Sequence, residues 1–386
     1  MKARWLLVPL FFCAPALAMP HTPRGDEEVL ERLRTGPEDP ALREARKLRL
    51  QLQKKPDDLA LALKLSRRYI ELGRASSDPR YIGRAESALG PWWAQPAPPE
   101  PVLLLRATIR QYLHDFPGAL EDLARVIAAQ PSDAQAWVTR AAVQRVTGEF
   151  GAARLSCFQV LQLAERLAGT TCLTGVTSLS GQLEQSRALL ARTIETDDRG
   201  DRAEELWAWT TLAEMAVRAG DVPAANAAYR SALGTGTQDS YLLASYADFL
   251  LDQKRAAEVA TLLRDQTRAD NLLLRLALAE RSLGSPAATA HVEALRDRFA
   301  SSAQRGESLH LREESRFVLA VENDPQRALA LAAANWKVQR EPADLRVLLE
   351  AALAANDPAA AAPALAFLDA THLEDRALTG LRARLQ

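Results

Sequence analysis

The chain is poor in the residues that usually converge at active sites and metal centres. It has three cysteines and five histidines in 386 residues, and the histidines (His21, His114, His291, His310 and His372) are scattered. A zinc centre needs three or four ligands meeting at one point, so this distribution predicts no metal site. The nearest approach to a cluster, His310 with Glu313 and Glu314, is equally explained as an ion-paired helix face shared with Arg312. No phosphate-binding loop and no G-x-S-x-G elbow is present. Gly234-Thr235-Gly236 lacks a following lysine and reads as a turn. No cofactor and no catalytic residue is expected. If the chain were nonetheless an enzyme, Glu214, Asp248 and His310 are the best available groups. Charge of one sign is also missing. With 48 basic and 49 acidic residues the formal net charge is −1, which gives no global field to attract nucleic acid or anionic lipid. Beyond the first residues, no apolar run is long enough to cross a bilayer.

What is abundant is apolar and helix-forming: 48% of residues are hydrophobic, with a bias to Ala, Leu, Arg and Glu. The first eighteen residues stand apart. Lys2 and Arg4 precede the mostly apolar stretch Trp5 to Cys13, and Ala16-Leu17-Ala18 supplies small residues for cleavage. That is the pattern of a secretory signal peptide. About 14 apolar residues fall short of the ~30 Å hydrocarbon core, which weighs against a membrane anchor. Phe11 and Phe12 weigh against lipid attachment at Cys13. Residues 1–18 are therefore expected to direct export, with the mature chain periplasmic or secreted and free of a membrane span. Cleavage would leave Cys157 and Cys172, an even pair suited to an oxidising compartment. They are a candidate disulfide if the helices bearing them hold the Cα atoms within about 7 Å, and two buried thiols otherwise.

A repeat organises the rest. Small residues in successive first helices, Ala107, Ala141, Thr174, Ala213, Ala247 and Ala277, follow at intervals of 34, 33, 39, 34 and 30. Asp115-Phe116 recurs as Glu149-Phe150, and Gly73, Gly148, Gly181, Gly220 and Gly284 fall just after the first helices, where glycine closes a helix in left-handed geometry. Second helices carry Ala85, Ala119, Ala153 and Ala225, and Pro56, Pro131 and Pro342 stand where those helices should end. Arg74 to Gly83 reads as a lengthened turn, Thr196 to Glu204 as a polar break between units, and Trp92-Trp93 as the aromatic end of an elongated second helix. Within that break Arg199-Gly200-Asp201, a tripeptide used in cell adhesion, is a solvated linker by the same reading. One helix pair cannot bury its apolar face, whereas stacked pairs bury it continuously.

These residues resemble the tetratricopeptide-repeat family. The clearest copy is AQAWVTRAAVQRVTGEFGAARLSCFQVLQ (134–162), with Trp137, Ala141, Gly148, Phe150 and Ala153 at pattern positions and Cys157 in the large-residue slot. LWAWTTLAEMAVRAGDVPAANAAYRSAL is a second, with Trp209, Leu212, Ala213, Gly220, Ala225, Tyr229 and Ala232. RYIELG, YADFLLDQ and NWKVQREP also look like stretches of exported bacterial repeat proteins. The resemblance implies an all-α solenoid of helix-turn-helix repeats forming a right-handed superhelix. The expected organisation is a signal peptide at 1–18, then a flexible start and an amphipathic capping helix at 19–55. Repeats follow at 56–300, and degenerate repeats with a C-terminal cap at 301–386. Ser240 to Leu263 keeps Ala247 but has Lys254 in place of the turn glycine.

The resemblance also implies a concave face lined by first helices, where such proteins hold an extended peptide or a partner helix. Facing positions in this register are Arg67, Thr108, Gln135, Trp207, Glu214, Tyr241, Asp248 and Asn271. Relatives that clamp a peptide carboxylate use Lys and Asn at slots that here hold Leu63, Leu104, Val138, Thr210 and Ala244, so no such clamp is expected. Aromatic, amide and acidic groups suit an amphipathic helix or an extended segment with some basic character. The expected role is a non-catalytic protein interaction scaffold of the bacterial envelope. The alternative is a carrier for a small ligand or glycan held between Trp207 and Tyr241.

Overall fold

The computed structural model describes residues 39–197, 201–237, 239–306 and 310–385. The proposed signal peptide, and Arg199 and Gly200 of the tripeptide, lie outside the described residues. The chain divides into Met1–Pro40 and Ala41–Gln386, and the second unit is the subject below. Its described residues are helical, without strands.

Helix α1 (Pro40–Lys54) is amphipathic and buries Ala45 and Leu48. Then come nine helix pairs among the described residues, first helix before second. They are α2 (Leu59–Ser76) with α3 (Pro79–Ala88); after the single turn α4 (Gly90–Trp93), α5 (Glu100–Tyr112) with α6 (Phe116–Ala129); and α7 (Ala134–Val146) with α8 (Phe150–Leu163). Next are α9 (Arg166–Thr177) with α10 (Leu183–Glu195), α11 (Arg202–Ala219) with α12 (Val222–Gly234), and α13 (Ser240–Asp252) with α14 (Ala256–Leu263). The last are α15 (Asp270–Ser282) with α16 (Ala287–Gln304), α17 (Leu311–Phe317, prolonged by a π-helical stretch) with α18 (Pro325–Trp336), and α19 (Pro342–Ala354) with α20 (Ala362–Thr371). Helix α21 (Arg376–Leu385) packs back on α19. Each first helix from α5 to α17 touches the next first helix, so the inner wall is continuous. All the small residues that mark the repeat, from Ala107 to Ala277 and from Ala85 to Ala225, are buried, because only small side chains let facing backbones approach.

The turns explain why the period fades in places. Each first helix from α5 to α19 is followed by one residue with positive φ: His114, Gly148, Gly181, Gly220, Lys254, Gly284, Asn323 and Asn356. Four are not glycine, so the geometry persists where the glycine signal is lost, and Asn323 and Asn356 carry it through the last repeats. Asparagine is the substitute that tolerates this conformation best. Gly73 is not a turn residue: it lies inside α2, and a Cβ there would come within 2.9 Å of Ile82 Cδ1, so it is a packing glycine. Helix α2 instead runs on to Ser76, and Ser77 takes the left-handed cap. The predicted lengthened turn is therefore short, because Asp78 caps α3 and Pro79 sits in its first turn. Pro342 opens α19 rather than closing a second helix. Trp92 and Trp93 belong to α4, separate from α3, and the Trp93 carbonyl accepts a hydrogen bond from Arg106.

Two features lock the stack. Cys157 on α8 and Cys172 on α9 form a disulfide, their Cα atoms 5.4 Å apart. The curvature also brings late helices onto early ones. Helix α13 meets α2, where the Ser240 hydroxyl donates to the Arg74 carbonyl at 2.8 Å. The final repeats rest on the row of αL turns. Phe367 packs on Gly148 and Phe150, the Arg340 N–H donates to the Val146 carbonyl at 2.8 Å, and the Leu183 N–H donates to Glu374 at 2.9 Å. A side chain at Gly148 would meet the Phe367 ring at 2.8 Å, so glycine serves there both for φ and for this contact.

Candidate binding groove

The inner wall is built from the facing sides of first helices, and the C-terminal repeats bring further charged groups to it. Tyr241 opens the accessible part. The residue keeps 48% exposure at the start of α13. Its hydroxyl is nonetheless hemmed in: burial, with Glu214 and Glu341 adding negative charge, holds its titration well above the usual tyrosine value. Glu214 of α11 hydrogen-bonds Tyr241 and accepts from the Ser245 hydroxyl at 3.2 Å. Burial raises its carboxyl pKa against the pull of Tyr241 and Arg145. Arg145 of α7 reaches Glu341 of α19 at 3.3 Å. Arg312 of α17 joins the same group, 3.4 Å from Glu341 and 3.3 Å from Asp344. One aromatic ring is thus accessible within a network of paired charges that spans five first helices.

Asp248 anchors a second network. It takes Arg275 of α15 at 2.6 Å and Arg316 of α17 at 2.9 Å. Burial alone would raise its pKa, but the two guanidinium groups hold it well below the ordinary carboxylate range. Arg275 is almost wholly buried, and Asp248 is its closest counter-charge, with Glu313 further off at 4.0 Å.

The other expected groove positions are placed differently. Arg67 and Gln135 are exposed, and the Gln135 amide donates to Thr139 at 3.2 Å. Thr108 turns its hydroxyl to the Leu104 carbonyl of its own helix, and Asn271 accepts from the Leu272 N–H. Trp207 is half-buried in the apolar cluster around the disulfide, with Phe367 and Leu373. The structure therefore brings Glu214 and Tyr241 together, links Asp248 to α15 and α17, and gives Trp207 a packing role. Arg145, Arg312, Arg316 and Glu341 escaped sequence reasoning. Arg145 lies three residues before a turn glycine and was legible by register, whereas the other three lie beyond the readable repeat.

Among the described residues no three His, Cys, Asp or Glu side chains gather as metal ligands. Glu313 is held by Arg312 and Arg275, and Glu314 by Arg327. No described helix is long and apolar enough to cross a membrane.

No family model and no curated protein matches the chain. Solved structures similar to it include the TPR domain of P58(IPK), at 14% identity and a TM-score of 0.26 over 74% of this chain and 87% of that one. Yeast Tom70 aligns at 12% identity and a TM-score of 0.36, over 89% and 92% respectively. Naa15/Naa10 bound to HypK-THB aligns at 14% identity and 0.25, over 90% of this chain and 63% of its own. These superpositions are loose, and the architecture rests on the chain's own pairs, turns and buried small residues. By those features it is an all-α, tetratricopeptide-like solenoid.

Proposed function

We propose that this chain is a non-catalytic scaffold of the bacterial envelope that holds a peptide or helix of a partner protein against its inner wall at Tyr241. The observation that carries this reading is the half-exposed Tyr241 standing beside Glu214 and Arg145. An accessible aromatic within a rim of charge is what a recognised side chain stacks on, and tyrosine provides that area with little loss of rotamer freedom. The carboxylate of Glu214 favours a segment with basic character, since Asp248 is already neutralised by two arginines. The disulfide and the N-terminal signal pattern agree with work outside the cytoplasm.

Pull-down from envelope extract tests it, comparing the wild-type chain with Tyr241→Ala and Glu214→Gln. Retention of a protein that drops at least about tenfold with Tyr241→Ala supports the reading. Unchanged retention in both variants would sink it. Trp207→Ala is a poor probe, because that ring supports the disulfide cluster.

A further inference from the structure

The second and third helix pairs carry an arginine in the same register and satisfy it differently. Arg106 on α5 and Arg140 on α7 each precede the buried alanine that marks the repeat, and each reaches the residue sixteen positions later, on the second helix of its pair. In the earlier pair that residue is Asp122. Its carboxylate takes Arg106 Nε at 2.8 Å and Nη2 at 2.7 Å, and Nη1 donates to the Trp93 carbonyl, so every edge of the guanidinium is used. In the later pair the residue is Ser156, which offers one oxygen, 3.1 Å from Arg140 Nε. The hydrogen bonds to Asp122 raise the pKa of Arg106, whereas burial alone acts on Arg140 and lowers it. The terminal nitrogens of Arg140 are open to solvent, because the buried side-chain atoms without a hydrogen bond among the described residues are Ser66 Oγ and Arg68 Nε.

The half-buried Arg140 guanidinium is also held in place. It lies over the Trp137 ring, 4.5 Å from the centroid, and the indole N–H is tied to the Pro131 carbonyl at 2.8 Å. Ser156 is wholly buried and donates its own proton to Gln144 Oε1 at 2.7 Å, which leaves a lone pair for Arg140 Nε. A cation fixed in this way binds with little further ordering. We propose that Arg140, Trp137 and Ser156 form a binding site for a ligand carboxylate, which takes Nη1 and Nη2 together as Asp122 takes Nε and Nη2 of Arg106. A planar carboxylate matches the edge of a guanidinium oxygen for nitrogen. A tetrahedral dianion would find a single cation, since no second charge acts on Arg140. The site lies between α7 and α8, and none of the charged groups around Tyr241 acts on it, so this inference stands independently of the groove.

Calorimetric titration of the full chain with succinate and with an N-acetylated tetraglutamate amide tests it, at an ionic strength held constant with chloride and with thermal melts to confirm folding. The expected result is millimolar binding, weakened at least about tenfold by Arg140→Gln and by Arg140→Lys, which offers no planar edge. Ser156→Asp gives the third pair the carboxylate that the second already has, so this variant should fold and bind both probes at least about tenfold more weakly. Arg140→Gln decides alone if Ser156→Asp does not fold. Tetraglutamate bound at least about tenfold more tightly than succinate assigns the site to an acidic polypeptide, and equal affinity to a small carboxylate. Failure of both probes to bind at millimolar concentration would overturn the proposal. So would binding indifferent to Arg140→Gln, binding that survives in folded Ser156→Asp, or inorganic phosphate held more tightly than either carboxylate.

Discussion

The α8–α9 step and the seam between the last repeats and the αL turns are both fastened by more than apolar packing, in opposite ways. At α8–α9 the link is covalent and joins residues fifteen apart, neighbours that the helical repeat already sets side by side. At the seam the links are polar and join residues far apart in sequence: Arg145 with Glu341, Arg346 with Asp252, Arg316 with Asp248, and Gln339 with His114. In a nearest-neighbour solenoid, stability is a sum of local terms. The seam breaks that locality, because each of its pairs joins repeats that are not neighbours along the chain.

The largest effect separating the two regions is expected at Asp248. Replacing it by alanine leaves the buried Arg275 with only the more distant Glu313, at 4.0 Å, as counter-charge, and Arg316 loses the same close partner. A loss of about 3–5 kcal/mol is expected, read as a lowered urea midpoint. A drop below about 1 kcal/mol would show that the arginines find other partners and that the seam is not held there.

Opening the disulfide with Cys157→Ser and Cys172→Ser together should cost roughly 3 kcal/mol in the chain-entropy model. The distinguishing readout is locality. Hydrogen exchange should quicken in α8 and α9 and leave the contact between α13 and α2 protected, whereas Asp248→Ala should loosen α13, α15 and α17. The same exchange pattern from both variants would erase the distinction between a local staple and a long-range seam.

That distinction also marks how much the sequence revealed. The pairs and the buried alanines were legible, because spacing is local and both follow from a 34-residue period, and the candidate disulfide followed from the even pair of cysteines that cleavage would leave. The turns at His114, Lys254, Asn323 and Asn356 were harder, since left-handed geometry does not demand glycine when a short polar residue or strong packing sustains it. The groove list was legible only in part. Register places a side chain on the inner wall, but not what crosses to meet it. Glu214 and Tyr241 do meet, while Trp207 packs on the apolar cluster around the disulfide, which Phe367 and Leu373 of the last repeats also join and which no period predicts. Arg312 and Glu341 join the wall for the same unforeseeable reason, because the chain curves until late repeats rest on early ones.

The smallest expected effect sharpens the comparison through pH. His114 sits at a turn of the early rim with Gln339 of the late repeats, whose amide nitrogen lies 2.8 Å from its Nε2. Burial, reinforced by Arg312, pushes its pKa down to about 4 from the ordinary 6.5. The folded chain thus keeps this ring neutral while the unfolded chain protonates it, so the contribution is complete above pH 6.5 and is lost as pH falls towards 4. The shift caps the effect at about 3 kcal/mol, and partial access of solvent brings it to about 2 or less. Asp344, pushed up to about 6 by burial, acts in the opposite sense: its contribution is complete below 3.8 and is lost as pH rises through 6. The two oppose each other between pH 4 and 6. His114→Asn keeps a residue that tolerates φ near 59° and can still meet Gln339, yet removes the titration. Urea midpoints measured from pH 7 to 4 should therefore fall less steeply for the variant than for the wild type, as Asp344 then acts unopposed. A wild-type minus variant difference that is flat across this range would show that the seam does not sense acid through His114.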